Sequence, residues 1–158
     1  MGAVQDNSQL RRLTKIYLAV QVFLVVLLLV MAFRFQAKLA ADGNSRAFTG
    51  GIAIAAVLQV ALFWPIRKFA SYEAEREIAS RRPGLTGDEL KSFRAKRLTT
   101  DVMKSAVFIF YLVFLMAMPD KKGTTGVLWT VFLSFILTYL TYFQCVSYAL
   151  KKGIANRS

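Results

Sequence analysis

IYLAVQVFLVVLLLVMAF, residues 16–33, decides the fold of this chain. These 18 residues carry no charge, and Gln21 is their one strongly polar side chain. As an α-helix they reach roughly 27 Å, close to the ~30 Å hydrocarbon thickness of a bilayer. Hydrocarbon offers peptide groups no hydrogen bonds, so a segment crossing it must satisfy its own backbone, and a helix does so.

Arg11, Arg12 and Lys15 precede the run, and Arg34 and Lys38 follow it. A basic start before an apolar stretch resembles a secretory signal. This run is longer than a usual signal core, and no small-residue cleavage site follows closely, so a retained first span is expected. Three further apolar runs lie at 47–66, 102–118 and 126–149. The pattern predicts an all-α membrane protein, residues 1–158 forming one domain, built as an antiparallel four-helix transmembrane bundle.

Hydrophobic residues make up 56% of the chain and mean hydropathy is +0.44, yet charged residues still reach 19%. Their clustering between apolar runs marks a multi-pass membrane protein. The net charge of +12 raises nucleic acid as a partner. The cations sit at the ends of apolar runs, where topology and anionic lipid account for them, so no nucleic acid partner is expected. With four spans, 16 of the 21 Lys and Arg fall on the side of the termini and five on the other. The positive-inside rule then predicts both termini in the cytoplasm, in a plasma or bacterial inner membrane, with anionic headgroups beside the cytoplasmic cations. Tyr17 and Trp64 are placed to anchor the inner interface and Trp129 the outer one.

Residues 67–101 are expected to form a cytoplasmic helical hairpin. Residues 67–79 are rich in helix formers, Arg82-Pro83-Gly84 breaks the chain, and Thr86 with Glu89 three residues on fits a capping box. The pattern then runs into the third span without Pro or Gly, so spans two and three should continue as helices into the cytoplasm. Pro65 is a candidate kink. On the outer side, a connection of about 13 residues around Asp42-Gly43-Asn44 and a tight turn at Pro119-Asp120-Lys121-Lys122-Gly123 are expected.

Four groups of residues are candidate sites. Thr130, Ser134, Thr138, Thr141, Cys145 and Tyr148 fall within an arc of roughly 80° on the fourth span. Such a face lines a polar pathway or packs against another helix. Gly51 and Ala55 have the small-xxx-small spacing that lets helices approach closely. Gln21, Gln59, Lys104 and Gln144 lie at similar depth near the inner boundary. They either hydrogen-bond one another, with Lys104 snorkelling to headgroups, or open a pocket for a lipid headgroup. Arg67, Lys68, Arg81, Arg82, Lys91, Arg94, Lys96 and Arg97 make the hairpin basic, either to set topology or to dock a protein. The hairpin carboxylates, Glu73 and Glu77 among them, read as solvated helix charges.

The chain has one cysteine, Cys145, and no histidine. An intramolecular disulfide, imidazole catalysis and histidine-ligated metals are thereby excluded. No Asp, Glu, Arg or His falls inside the four apolar runs, which disfavours a carboxylate-coupled transporter. No glycine-rich phosphate loop or Cys-x-x-Cys pair occurs, and no cofactor is expected. The expected function is a non-catalytic membrane subunit or scaffold that binds a protein partner through the basic hairpin, or assembles with copies of itself through the small-residue faces. The alternatives are a small oligomeric channel or transporter lined by the polar face of span four, and a lipid-binding or lipid-modifying protein.

Overall fold

The computed structural model describes residues 2–80, 86–117 and 123–155, with side chains for all of these except 2–11, 90, 103, 112, 114–116 and 154–155. It is all-helical: α1 (Gly2–Ala41), α2 (Ser45–Ala79), α3 (Gly87–Ala117) and α4 (Thr124–Ala155). Among the described residues, three stretches are long and apolar enough to cross a membrane: Arg12–Ala41, Ser45–Ala79 and Thr124–Gly153. The expected third span, at 102–118, lies on α3, and its last residue falls outside the described chain.

The helices outrun the apolar runs that announce them. α1 has 40 residues, so it is about 60 Å long, twice the hydrocarbon thickness. Arg34, Gln36 and Lys38 continue it, because nothing between Phe33 and Ala41 breaks a helix. The expected 13-residue connection therefore shrinks to Asp42, Gly43 and Asn44. There the Gly43 N–H donates to Ala40 O (3.1 Å) and the Asn44 N–H to Leu39 O (2.8 Å), the pairing of a Schellman stop. The motif needs a left-handed residue, and Gly43 supplies it at φ 71°.

α2 continues through Pro65 to Ala79, although proline removes one N–H from the ladder. Its end is closed by the Ser80 N–H on Arg76 O and the Ser80 hydroxyl on Glu77 O (2.9 and 2.8 Å). The expected breaks at Arg82-Pro83-Gly84 and at Pro119–Lys122 lie outside the described residues. α3 begins where the capping box places it. The Thr86 N–H and hydroxyl both donate to Glu89 Oε2, each at 2.9 Å. First the backbone N–H and then the hydroxyl hold this carboxyl below its ordinary value.

Contacts run chiefly through α4. Seven of the 13 buried apolar side chains among the described residues belong to it, and α1 and α2 pack chiefly against it. Against α1, rising numbers meet falling ones: Tyr17 packs on Phe143 and Phe35 on Trp129, so the pair is antiparallel. Against α2 the order is parallel: Phe48 meets Trp129, Gln59 meets Thr141 and Phe69 meets Tyr142. α3 runs antiparallel to α4, Lys104 meeting Tyr139 and Tyr111 stacking on Phe135 at 3.8 Å between ring centres.

The core falls into two clusters. One holds Leu24, Leu39, Ala55, Tyr111, Trp129, Phe132, Leu133 and Ile136; the other holds Ala70, Ala74, Tyr142, Val146 and Leu150. Outward faces are apolar instead of polar. Val60 is 79% exposed, Phe110 73% and Phe33 72%. An exterior of this kind suits hydrocarbon and not water.

Trp129 is not the interface anchor expected of it. It is 2% exposed, stacked on Phe48 at 4.8 Å, with its Nε1–H donating to Phe48 O at 3.1 Å. Gly51 makes the room: a Cβ there would sit 2.6 Å from Trp129 Cδ1 and 2.8 Å from Thr130 Oγ1. At neighbouring Gly50 a Cβ would meet nothing within 4 Å.

Two outcomes are expected. Gly51→Ala should lower stability against denaturation in mixed detergent by about 1–3 kcal/mol, through overpacking. Gly50→Ala should be neutral or stabilising by up to about 1 kcal/mol; equal losses for the two would refute the tight contact. The second concerns Glu89. A carboxyl whose pKa is depressed by folding contributes stability above its unfolded pKa and loses it as pH falls through the folded one. The protection factor of the Thr86 amide, its exchange rate relative to an unstructured amide at the same pH, should therefore fall on acidification through that range, and Glu89→Gln should lower it already at neutral pH.

Candidate functional site

The polar groups gather where α2, α3 and α4 approach one end of the apolar layer. Ala70 and Ala74, at 0% and 1% exposure, bring α2 close to α4. Glu73 and Glu77 share that side of α2, since positions three, four and seven apart on a helix are neighbours. Lys104 of α3 and the Tyr142 hydroxyl of α4 both donate to the Glu73 carboxylate. The Lys104 ammonium also stands 5.0 Å from the Tyr142 ring centre, and the Tyr139 hydroxyl donates to Lys104 O at 3.2 Å. One carboxylate thus ties three helices. One step further out, Arg97 pairs with Glu77 at 3.3 Å and with Asp101 at 3.8 Å.

This seam changes the reading of several residues. Glu73 and Glu77 are not solvated charges: their side chains are 21% and 14% exposed. Lys104 pairs with Glu73 instead of reaching for headgroups. The sequence signal for this was Ala70 and Ala74, whose small side chains mark the face on which both glutamates lie.

Deeper in the layer, Gln59 faces the polar side of α4. Its Nε2 donates to Thr141 Oγ1 (2.5 Å) and to Leu137 O (3.4 Å), and its Oε1 accepts from the Thr138 hydroxyl at 3.5 Å. The remaining hydroxyls turn to their own helix. Thr130 donates to Gly126 O, Ser134 to Thr130 O and Thr138 to Ser134 O, at 2.8–2.9 Å. Thr130 lies against Gly51. Cys145 is a half-buried free thiol, and Tyr148 is 67% exposed.

The four groups expected at one depth do not converge. Gln59 is engaged by α4 and Lys104 by Glu73, and among the described residues none of the four hydrogen-bonds to another. Gln21 and Gln144 instead line a groove of about 620 Å³ between α1 and α4, with Thr14, Lys15, Leu18, Ser147, Tyr148 and Lys151. A second groove of about 700 Å³, between α2 and α4, includes Arg67, Glu75, Gln144, Cys145 and Lys152. Gln144 and Tyr148 form the ridge between them.

The basic hairpin is unevenly engaged. Lys68 lies over the Trp64 ring at 5.4 Å, and Lys91 reaches Asp88 at 3.7 Å with both side chains in water. Arg94 and Lys96 are exposed, while Arg81 and Arg82 lie outside the described residues. No group of three metal-ligating side chains occurs among the described residues. Compared with models of protein families, with curated proteins and with solved structures, the chain finds no match.

A double-mutant cycle measures the seam. Glu73→Gln and Lys104→Met should each destabilise by about 1–3 kcal/mol, with a coupling of about 1 kcal/mol or more, because the pair is largely shielded from water. The same cycle on the exposed Asp88–Lys91 pair should give at most about 0.5 kcal/mol. Equal coupling at the two sites would contradict the burial of Glu73.

Proposed function

We propose that this chain is a non-catalytic membrane subunit or scaffold. In this reading four helices cross the bilayer in alternating directions, with both termini and the 67–101 hairpin in the cytoplasm. The alternating order of packing along α4, the apolar outward faces and the excess of Lys and Arg on one side support that placement.

The hairpin is the arm that binds a partner protein. The observation that carries this is its bracing. Ion pairs of Glu73 with Lys104 and of Glu77 with Arg97 join its two helices. Beyond them Lys91, Arg94 and Lys96 stand exposed on α3. A braced basic surface loses little entropy on docking and selects a partner with an acidic face. A pathway along α4 has less support, because Thr130, Ser134 and Thr138 donate to carbonyls one turn earlier and to Gln59.

Purification of the full chain in mild detergent should retain a stoichiometric acidic partner. Lys91→Glu with Arg94→Glu and Lys96→Glu should release it while helix content stays unchanged. A lone species from the unaltered chain, or a partner kept by the charge-reversed one, would overturn the docking arm. In a Cys145→Ser background, a membrane-impermeant thiol reagent should label Ser92→Cys from the cytoplasmic side only; labelling from outside would invert the topology.

A further inference from the structure

The groove between α1 and α4 combines three features. It has two cations at one end, Lys15 and Lys151, both exposed. It has two buried polar atoms without a hydrogen-bond partner, Gln21 Nε2 and Ser147 Oγ. And among the described residues no carboxylate lines it, whereas the neighbouring groove sets Glu75 among Arg67 and Lys152. A buried donor left unpaired costs free energy, so a built groove that leaves two of them calls for an acceptor from outside the chain.

The order of these groups with depth identifies the acceptor. Tyr17 packs on Phe143 in an antiparallel pair, and Lys15 and Lys151 line the groove toward the same end. Gln21 lies about 9 Å along α1 from Lys15, and Ser147 about 6 Å along α4 from Lys151, both toward the apolar layer. Cations at the surface with neutral donors one to two turns deeper match the phosphate and the ester carbonyls of a glycerophospholipid. Leu18 and Val22, 59% and 57% exposed, continue the same stretch of α1 with apolar surface for an acyl chain.

We propose that this groove is a binding site for one anionic glycerophospholipid of the cytoplasmic leaflet. Lys15 and Lys151 take the phosphate, and the Gln21 amide and Ser147 hydroxyl donate to ester carbonyl oxygens. A soluble phosphate ester satisfies the lysines alone and leaves the two deeper donors unpaired, which is why the lipid is the occupant. The site rests on the membrane placement proposed above and not on the docking arm, whose charge-reversed variant leaves the groove untouched, so the two proposals fail separately.

The test is native mass spectrometry of the full chain in detergent, titrated in turn with phosphatidylglycerol, phosphatidylcholine and glycerol 3-phosphate. One phosphatidylglycerol should bind in preference to the other two. Lys15→Gln with Lys151→Gln should weaken it about thirtyfold. Gln21→Leu should weaken it about fivefold, without loss of helix content. Arg34→Gln with Arg46→Gln, the same charge loss on exposed residues at the opposite end, should leave it unchanged. Equal binding of phosphatidylglycerol and phosphatidylcholine would overturn the proposal. So would glycerol 3-phosphate binding as tightly as the lipid, or equal weakening by the two charge-removing pairs.

Discussion

Water does not drive helices together inside hydrocarbon, because lipid tails are as apolar as leucine. Association must come from close approach and from polar groups that find each other. In this chain both meet on α4. Gly51 lets the indole of Trp129 lie against the α2 backbone, and Gln59 spans the same pair with an amide that has no better partner in that layer. Further in, Glu73 collects an ammonium from α3 and a phenol from α4. The sequence of contacts along α4 is thus packing, amide and ion pair, each belonging to a progressively more polar layer. Removing one partner of the last would strand a charge in partly dry surroundings, which makes that end of the assembly intolerant of single changes.

Helix existence was legible in the sequence and helix length was not. Uncharged runs report the depth of hydrocarbon, whereas helices end where a residue stops them. Arg34 and Lys38 close the first run but do not break a helix, and the stop comes at Gly43, whose role could be read from Asp42-Gly43-Asn44. Thr86 and Glu89 were equally readable, because capping depends on residues three apart. Local rules carried these readings as far as local rules reach.

The polar sites were legible as a list and not as an arrangement. Gln21, Gln59, Lys104 and Gln144 lie at similar distances from the ends of their apolar runs, but depth says nothing of azimuth. Azimuth sends Gln59 to Thr141, Lys104 to Glu73, and Gln21 and Gln144 to a groove. Ser147 was not legible because it lies between Cys145 and Tyr148 in sequence but about 100° round α4 from the face they share. Trp129 was misplaced because tryptophan is common at membrane interfaces, and only the missing side chain at Gly51 marks a slot for it. Pairings between residues 31 and 69 positions apart, such as Glu73 with Lys104 and with Tyr142, require a helix register that no single segment encodes.

The central place of α4 bears on biogenesis. In chain order α4 follows the other three helices, and α1 and α2, though joined by three residues, touch each other far less than either touches α4. α1 and α2 therefore emerge before their common partner exists, and Gln59 waits for Thr138 and Thr141. Until α4 is made, the nascent chain presents insertion machinery and membrane proteases with an orphaned amide. Assembly is in this sense gated by the arrival of α4.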